Sequence, residues 1–426
     1  MSLNNVIERR PGALTLLLAA LTGLTALSID MSLPAMPQLQ ESFNAGVSSV
    51  QLTLSIFLAG FALGQVFCGP LSDRWGRRPV LLAGLALFTL AGFVCAGSSS
   101  LPMLLAARFV QGAGASVGPV VARAIVRDRF DSRRSAAVLS QMTQVMIVAP
   151  LLAPTLGGYL LVHAGWPAIF FVLGSSGALM CLLCWRCLPE TAAGRKVEPE
   201  GRGVKTGGDD DAPARGGLRE VLSHRASLRH ALTTCFAYAG MFAYVGSSPF
   251  VLMDGFGVAE QDFGYFFALT ATALLLSATL NRALLKRHTS SLLILRRGVY
   301  TVFAAGLALA LSAWFDVGGL AGVLVPMMAY MFGQGLLMPN ATAAAMAPHG
   351  QAAGVISSFM GALQTAGGAL AGYLVGVFYD HTPLSLAVTV AAFASMTLLA
   401  SGIHRPRIAA AGEWHTDAPH ATCGAR

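Results

Sequence analysis

Two ionisable residues sit inside otherwise apolar segments of this chain: Asp30, in SIDMSLPAMP, and Arg108, in LLAARFVQGAGA. A charge near the middle of a bilayer costs roughly 2.5 to 3.5 kcal/mol on insertion scales, so each needs a partner or a water-filled cavity. A carboxylate can take up and release a proton, whereas an arginine stays cationic and acts only through its field. An apolar setting favours the protonated carboxyl and an adjacent guanidinium the ionised one. A moving Arg108 would therefore switch Asp30 between proton binding and release. Counted at 1.5 Å per residue from the expected ends of their segments, both lie about 10 Å below the same surface and are expected to come within reach of each other. The plain alternative for Arg108 is a head group satisfied by backbone carbonyls. Pro34 and Pro37 follow Asp30, where proline frees carbonyls and kinks or ends a helix.

Three further patterns carry physical content. In GPLSDRWGRRPVLL, Gly69 and Gly76 permit close backbone approach, Asp73 can accept bonds from arginines or sit at a helix N-terminus, and Arg74, Arg77 and Arg78 anchor a polar face. In VAPLLAPTLGGYLL, Pro150 and Pro154 bend one helix face while Gly157 and Gly158 let helices touch. Gln111 and Gly112 follow Arg108 by one turn, and a second Gln-Gly pair stands at 334 and 335. Gly60 with Gly64, and Gly368 with Gly372 and Gly376, read as packing seams. No apolar segment combines a nucleophile with a base, or gathers His and carboxylate ligands, so neither catalysis nor a metal is expected. Cys181, Cys184 and Cys187 lack a fourth ligand nearby, His163 and His381 stand at loop ends, and no cofactor is expected.

These residues must be positioned by membrane helices. The sequence is 55% hydrophobic and 11% charged, against about a quarter charged in soluble domains. Twelve apolar runs are long enough to cross a bilayer, which takes roughly 20 residues. The expected fold is an all-α membrane protein of twelve transmembrane helices in two six-helix bundles. Its first bundle covers 1–187, a cytoplasmic linker 188–228, the second bundle 229–404 and a cytoplasmic tail 405–426. Of the 28 Lys and Arg residues, every one but Arg108 falls on the side shared by both termini, which places both termini in the cytoplasm. The net charge of +8 thus belongs to loop clusters and not to a nucleic-acid-binding face. The two Gln-Gly pairs, with GYLL at Gly158 and GYLV at Gly372, mark a faint six-plus-six repeat of the kind that builds a site open alternately to each side.

At these motifs the chain resembles the major facilitator superfamily and, within it, the drug:proton antiporters of the bicyclomycin-resistance (Bcr/CflA) type. GPLSDRWGRRPVLL resembles that family's loop between helices two and three, LLAARFVQGAGA its helix-four motif, IDMSLPAMP its helix-one motif, APLLAPTLGGYL its helix-five antiporter motif, and FAYAGMFAYVGSSPFVLMDGFGV its helix-seven stretch. The resemblance implies that Arg108 couples proton release to substrate binding and that Asp73 latches the halves by facing the start of helix eleven. It also implies that Pro150, Gly157 and Gly158 favour antiport. The second copy of the loop motif is reduced to NRALLKRH at Asn281, which puts a C-terminal latch in doubt. The expected activity is proton-coupled efflux of small molecules or drugs across the bacterial inner membrane by a monomer whose partners are substrate, protons and lipid. The alternatives are export of an endogenous metabolite such as a siderophore or amino acid, and uptake by symport, which the Pro/Gly pattern of span five disfavours.

Overall fold

The computed structural model describes residues 11–130, 132–190, 224–348, 353–379 and 382–402. Most of the expected linker, the tail 405–426, Asp380, His381 and Cys423 lie outside the described residues. All regular structure among the described residues is helical. Ten helices are long and apolar enough to cross a membrane. One of them is double: Ser132–Cys187 runs for 56 residues with a kink at Gly165, whose φ of 74° breaks the helix into spans five and six. The glycine-rich Ala353–Val377 is not among the ten, yet its 25 residues reach over 30 Å at 1.5 Å per residue. Dividing the first and adding the second gives the twelve expected spans.

Span one departs from its expected outline in an informative way. The helix Pro11–Asp30 stops, a short 3-10 turn follows at Leu33–Ala35, and a second helix covers Met36–Phe43. Pro34 has no N–H for the Asp30 carbonyl and its ring crowds that carbonyl, so the break falls where the sequence makes continuation costly. Pro37 sits in the first turn of the new helix, where its missing N–H is harmless. The span thus continues to Phe43 and not to about residue 36. Gln38 ties its outer end to the kink between spans five and six by accepting from the Trp166 N–H at 2.9 Å.

The other spans are Val47–Trp75, Arg77–Ala96, Leu101–Ala115 continued by Val117–Arg129, Arg225–Pro249 with a π turn at Phe250–Gly255, Phe263–Lys286, Ser291–Trp314, Gly319–Met346, Ala353–Val377 and Leu384–Ser401. Spans one to six pack as one bundle and seven to twelve as the other. Small residues set the closest approaches. A Cβ on Gly60 would fall on the Phe109 carbonyl, one on Gly112 on that of Phe57, and one on Gly64 against Ser116. Spans two and four are therefore in backbone contact, the arrangement small residues permit in lipid. In the second bundle Gly335 repeats this against Leu274 and Ser277 of span eight.

The halves meet along two seams, span two with eleven and span five with eight. Ser55 donates to the Ala369 carbonyl at 2.9 Å across the first, and Gly372 and Gly376 face Ser55 and Gln51. Gly368 instead packs on Phe242 of span seven, so the expected glycine seam serves two neighbours. At the end bearing the acidic loops, the break and outer helix of span one close on span seven and its π turn. At the basic, inner end, spans four and ten are not packed together, and nothing lies within 4 Å of a Cβ built on Gly69. The gap between the halves is closed outside and open inside. Because Gly112 meets backbone that cannot yield, Gly112→Leu is expected to cost about 1 to 3 kcal/mol or more, read as a lowered melting temperature in detergent; a wild-type melt would show that spans two and four can separate freely.

Candidate functional site

The break in span one organises the polar centre of the first bundle. Ending a helix leaves its last carbonyls without intrahelical donors, and here one of them meets the guanidinium of span four. Arg108 is 1% exposed. Its Nη1 donates to the Ser28 carbonyl at 3.3 Å and to Gln111 Oε1 at 2.9 Å, Nη2 to Ser32 Oγ at 3.4 Å and Nε to the Thr53 carbonyl at 3.4 Å. The rings of Phe57 and Phe170 lie 4.3 and 5.5 Å from its central carbon, in cation–π range. Gln111 stands at i+3 on the same helix, so its side chain reaches Arg108 by spacing alone.

Arg108 and Asp30 are level but do not meet. Ser28 and Ser32, which flank Asp30 on either side, share the face that takes the guanidinium. Asp30, two residues from each, is turned about 200° away at 100° per residue. The carboxylate forms no ion pair with Arg108 and is buried, within electrostatic range of Tyr238 of span seven in the opposite half. The expectation that they come within reach is thus corrected for this conformation, in which the carbonyl-satisfied arginine is what the structure holds. Depth along the span is corrected too. Asp30 lies roughly 20 Å below the end of span one at Phe43.

The span-five motif packs against this same break. A Cβ on Gly157 would strike the Met31 carbonyl and Pro34, and one on Gly158 the carbonyl of Glu260 in the loop of the opposite half; Gly264 takes Thr155. Pro150 is half-buried and Pro154 buried in the same helix. The motif therefore joins the residues next to Asp30 to the closed outer face. Glu260 there is raised above the usual carboxylate range, first by burial and then by the Glu41 carboxylate of span one. A proton held more tightly in the closed arrangement makes closure strongest in acid, and that contribution is lost as pH rises through the raised value. Glu260→Gln is accordingly expected to flatten the change between pH 5 and 8 in the reaction of a Leu252→Cys variant with an impermeant maleimide. An unaltered pH profile would remove Glu260 from the closure.

At the inner end the loop motif forms a charged network. Arg77 pairs with Asp73, donates from Nε to Asp128 Oδ2 at 3.0 Å and from Nη1 to Ser72 Oγ at 2.8 Å. Asp73 is in the last turn of span two, not at a helix N-terminus, and its side chain is 61% exposed. Residues 349–352, before span eleven, lie outside the described residues. Gly76 adopts φ 99°, a region L side chains avoid, and a Cβ there would meet Glu190. The Glu190 carboxylate accepts from the Arg77 and Arg78 N–H groups at 2.9 and 3.1 Å, which caps the start of span three. Arg78 Nη2 donates to the Trp185 carbonyl, and Arg74 is exposed at the end of span two. Asp128, Glu190, Ser72 and Tyr238 were not singled out by sequence. Asp128 could have been, as the carboxylate within RAIVRDR. The corresponding place in the second half is neutral: Asn340 donates to Asn281 Oδ1 at 2.8 Å and accepts from Ser291 Oγ at 2.7 Å.

Two bundles with a gap closed at one end, a broken helix at its centre and a charged inner latch define a membrane transporter of the alternating-access class. Residues 18–372 match the Major Facilitator Superfamily, and the chain belongs to it. It is 37% identical over 380 residues to the uncharacterized MFS-type transporter YdgK of Bacillus subtilis, covering 88% of this chain and 91% of that one. It is 30% identical over 389 residues to a bicyclomycin resistance protein homolog of Haemophilus influenzae (90% and 94%). It is 32% identical over 359 residues to the multidrug resistance protein MdtL of Escherichia fergusonii (84% and 87%). Among solved structures, an inward-facing bacterial homolog of the lysosomal transporter Spinster has a TM-score of 0.70 at 14% identity, covering 92% of this chain and 95% of that one. The partially occluded inward-open xylose transporter XylE of E. coli has 0.68 at 15% (91% and 95%). At such identities the two share the fold alone.

The Arg108 site yields a test of its own. Lysine keeps the charge but cannot span four partners as the planar guanidinium does. Arg108→Lys should fold with a melt lowered by the equivalent of about 1 to 3 kcal/mol, and an unchanged melting temperature would mean those partners are satisfied otherwise.

Proposed function

We propose that this chain is a proton-driven exporter of drugs and related small molecules in the bacterial inner membrane, with Asp30 as the proton carrier. The observation that carries the reading is the buried Asp30 carboxylate at the break of span one, aimed across the gap at the opposite half and backed by Gly157 of span five. The names of the bicyclomycin-resistance and multidrug-resistance relatives support the substrate class.

In this reading substrate enters the inner, open gap and competes with the proton for Asp30. The released proton leaves to the cytoplasm, and the loaded carrier opens outward. A proton taken up outside then resets it. The pivot is the break itself. Turning the segment around Asp30 would exchange Ser28 and Ser32 for the carboxylate at the guanidinium, so Arg108 sets the affinity of Asp30 for its proton through the conformational change. Asp73 and Arg77 hold the inner end, and the Pro150, Pro154, Gly157 and Gly158 face keeps the outer end from leaking. Gln111 orients Arg108, while Gly112 keeps span four against span two. Each proton moving down 100 mV contributes about 2.3 kcal/mol, enough for roughly a fifty-fold substrate gradient. The protein acts as a monomer with both termini and residues 188–228 in the cytoplasm, which maleimide labelling of Glu41→Cys from outside the cell tests.

Asp30→Asn is expected to abolish proton-driven efflux while substrate binding survives in part. The measurement is exchange in inside-out vesicles, using a compound found by screening antimicrobials in an efflux-deficient host. If the variant still exchanged substrate for protons at the wild-type rate and pH dependence, Asp30 would not be the carrier.

A further inference from the structure

Span four carries a second feature that the coupling site does not use. Near its inner end, Arg123, Val126, Arg127 and Phe130 form a groove of about 390 Å³ with Ser135 and Leu139 at the start of span five. Ser135 Oγ donates to the Val126 or Phe130 carbonyl at 3.3 or 3.1 Å, which fixes the two helices to each other. Arg123 and Arg127 are exposed, and neither makes a hydrogen bond or ion pair among the described residues. The neighbouring carboxylate, Asp128, is committed to Arg77.

The direction of the groove follows from the helix period. Span four meets peripheral span three through Gly114, packed on Gly84 and Phe88, and Arg123 lies about 180° round from Gly114. The groove therefore faces the gap between the halves and not the lipid. Topology alone asks for arginines in the loop, whereas Arg123 stands inside the helix, about 9 Å before its end at Arg129. Aligning the two Gln-Gly pairs sets Met346 opposite Arg123. Met346, Phe359 and Leu363 pack round a buried cluster of Ala231, Ala345, Ile356 and Met360, a wall of adaptable apolar side chains. The inner mouth thus has one cationic wall and one soft apolar wall.

We propose that the Arg123–Arg127 groove captures the anionic group of an amphiphilic organic anion arriving from the cytoplasm, so that organic anions with an apolar body are among the molecules the gap accepts. The proposal rests on the export reading for its direction. Asp30 does not oppose it, since Arg123 lies about 22 Å along span four from Arg108, beyond a Debye length of about 8 Å. Clefts lined with one sign of charge raise the local concentration of counter-charged ligands.

The test is fluorescence titration of the full-length protein, in nanodiscs of phosphatidylcholine, with dansylglycine and its neutral amide, dansylglycinamide. Wild type is expected to bind the anion at least five-fold more tightly, Arg123→Gln/Arg127→Gln to bind the two equally with the amide unaffected, and Arg123→Lys/Arg127→Lys to keep the preference. Equal binding by wild type overturns the proposal, as does a preference that survives the double Gln substitution. Loss of the preference when 30% phosphatidylglycerol is added would show an acidic-lipid site and overturn it likewise. No proton gradient enters this measurement. A protein that exported nothing but kept the arginine-dependent preference would lose the export reading while the capture site stood.

Discussion

A bilayer interior supplies no water to satisfy backbone groups, and span one breaks in the middle of it. Everything polar in the first bundle is arranged round that break. Pro34 releases the helix, Ser28 keeps a carbonyl without a helical donor, and Arg108 supplies one together with bonds to Ser32, Gln111 and Thr53. Two costly features, an interrupted helix and a buried cation, thereby offset one another. The same break turns Asp30 to the opposite side, towards the gap. The carboxylate and the guanidinium are thus held apart by one helix turned through half its circumference, and rotation of that short segment relates the two environments.

The packing round the break explains why the outer face closes there. Gly157 lets span five lie on the Met31 carbonyl, and Gly158 admits the backbone of the opposite half at Glu260. A side chain at either position would push these segments apart. The contact carries mechanical coupling from the carboxylate to the outer seam through backbone atoms, which yield less than side chains do.

The two halves are alike in packing and unlike in charge. Glycines of both Gln-Gly pairs bring span four to two and span ten to eight. Yet Arg108 has Met331 as its counterpart, and the Asp73–Arg77–Asp128 network of the first half is matched by a neutral one of Asn281, Ser291 and Asn340. Neutral hydrogen bonds hold three helix ends together without dependence on a charged partner across the gap. Titratable chemistry is therefore concentrated in the first half, and the second offers an apolar, methionine-containing surface.

The sequence by itself determined the membrane class, the twelve spans, the basic inner loops and the identity of the two intramembrane charges, because the lengths of apolar runs and the cost of a buried charge are local properties. It also located the break, since Pro34 forbids the bond at Asp30. It misjudged how far span one continues past that break, because a proline that ends one helix can start the next. Which side of span one each residue presents, and so whether Arg108 meets Asp30 or its flanking serines, was decided by the tertiary structure. Depth along a helix can be counted from sequence, but the azimuth is set by the neighbours it packs on. For the same reason Asp128 and Glu190 emerged only in the fold, where residues distant in the chain close on Arg77 and Gly76. Which end of the gap stands open is likewise a matter of contacts between halves, and the residues that form them have no local signature.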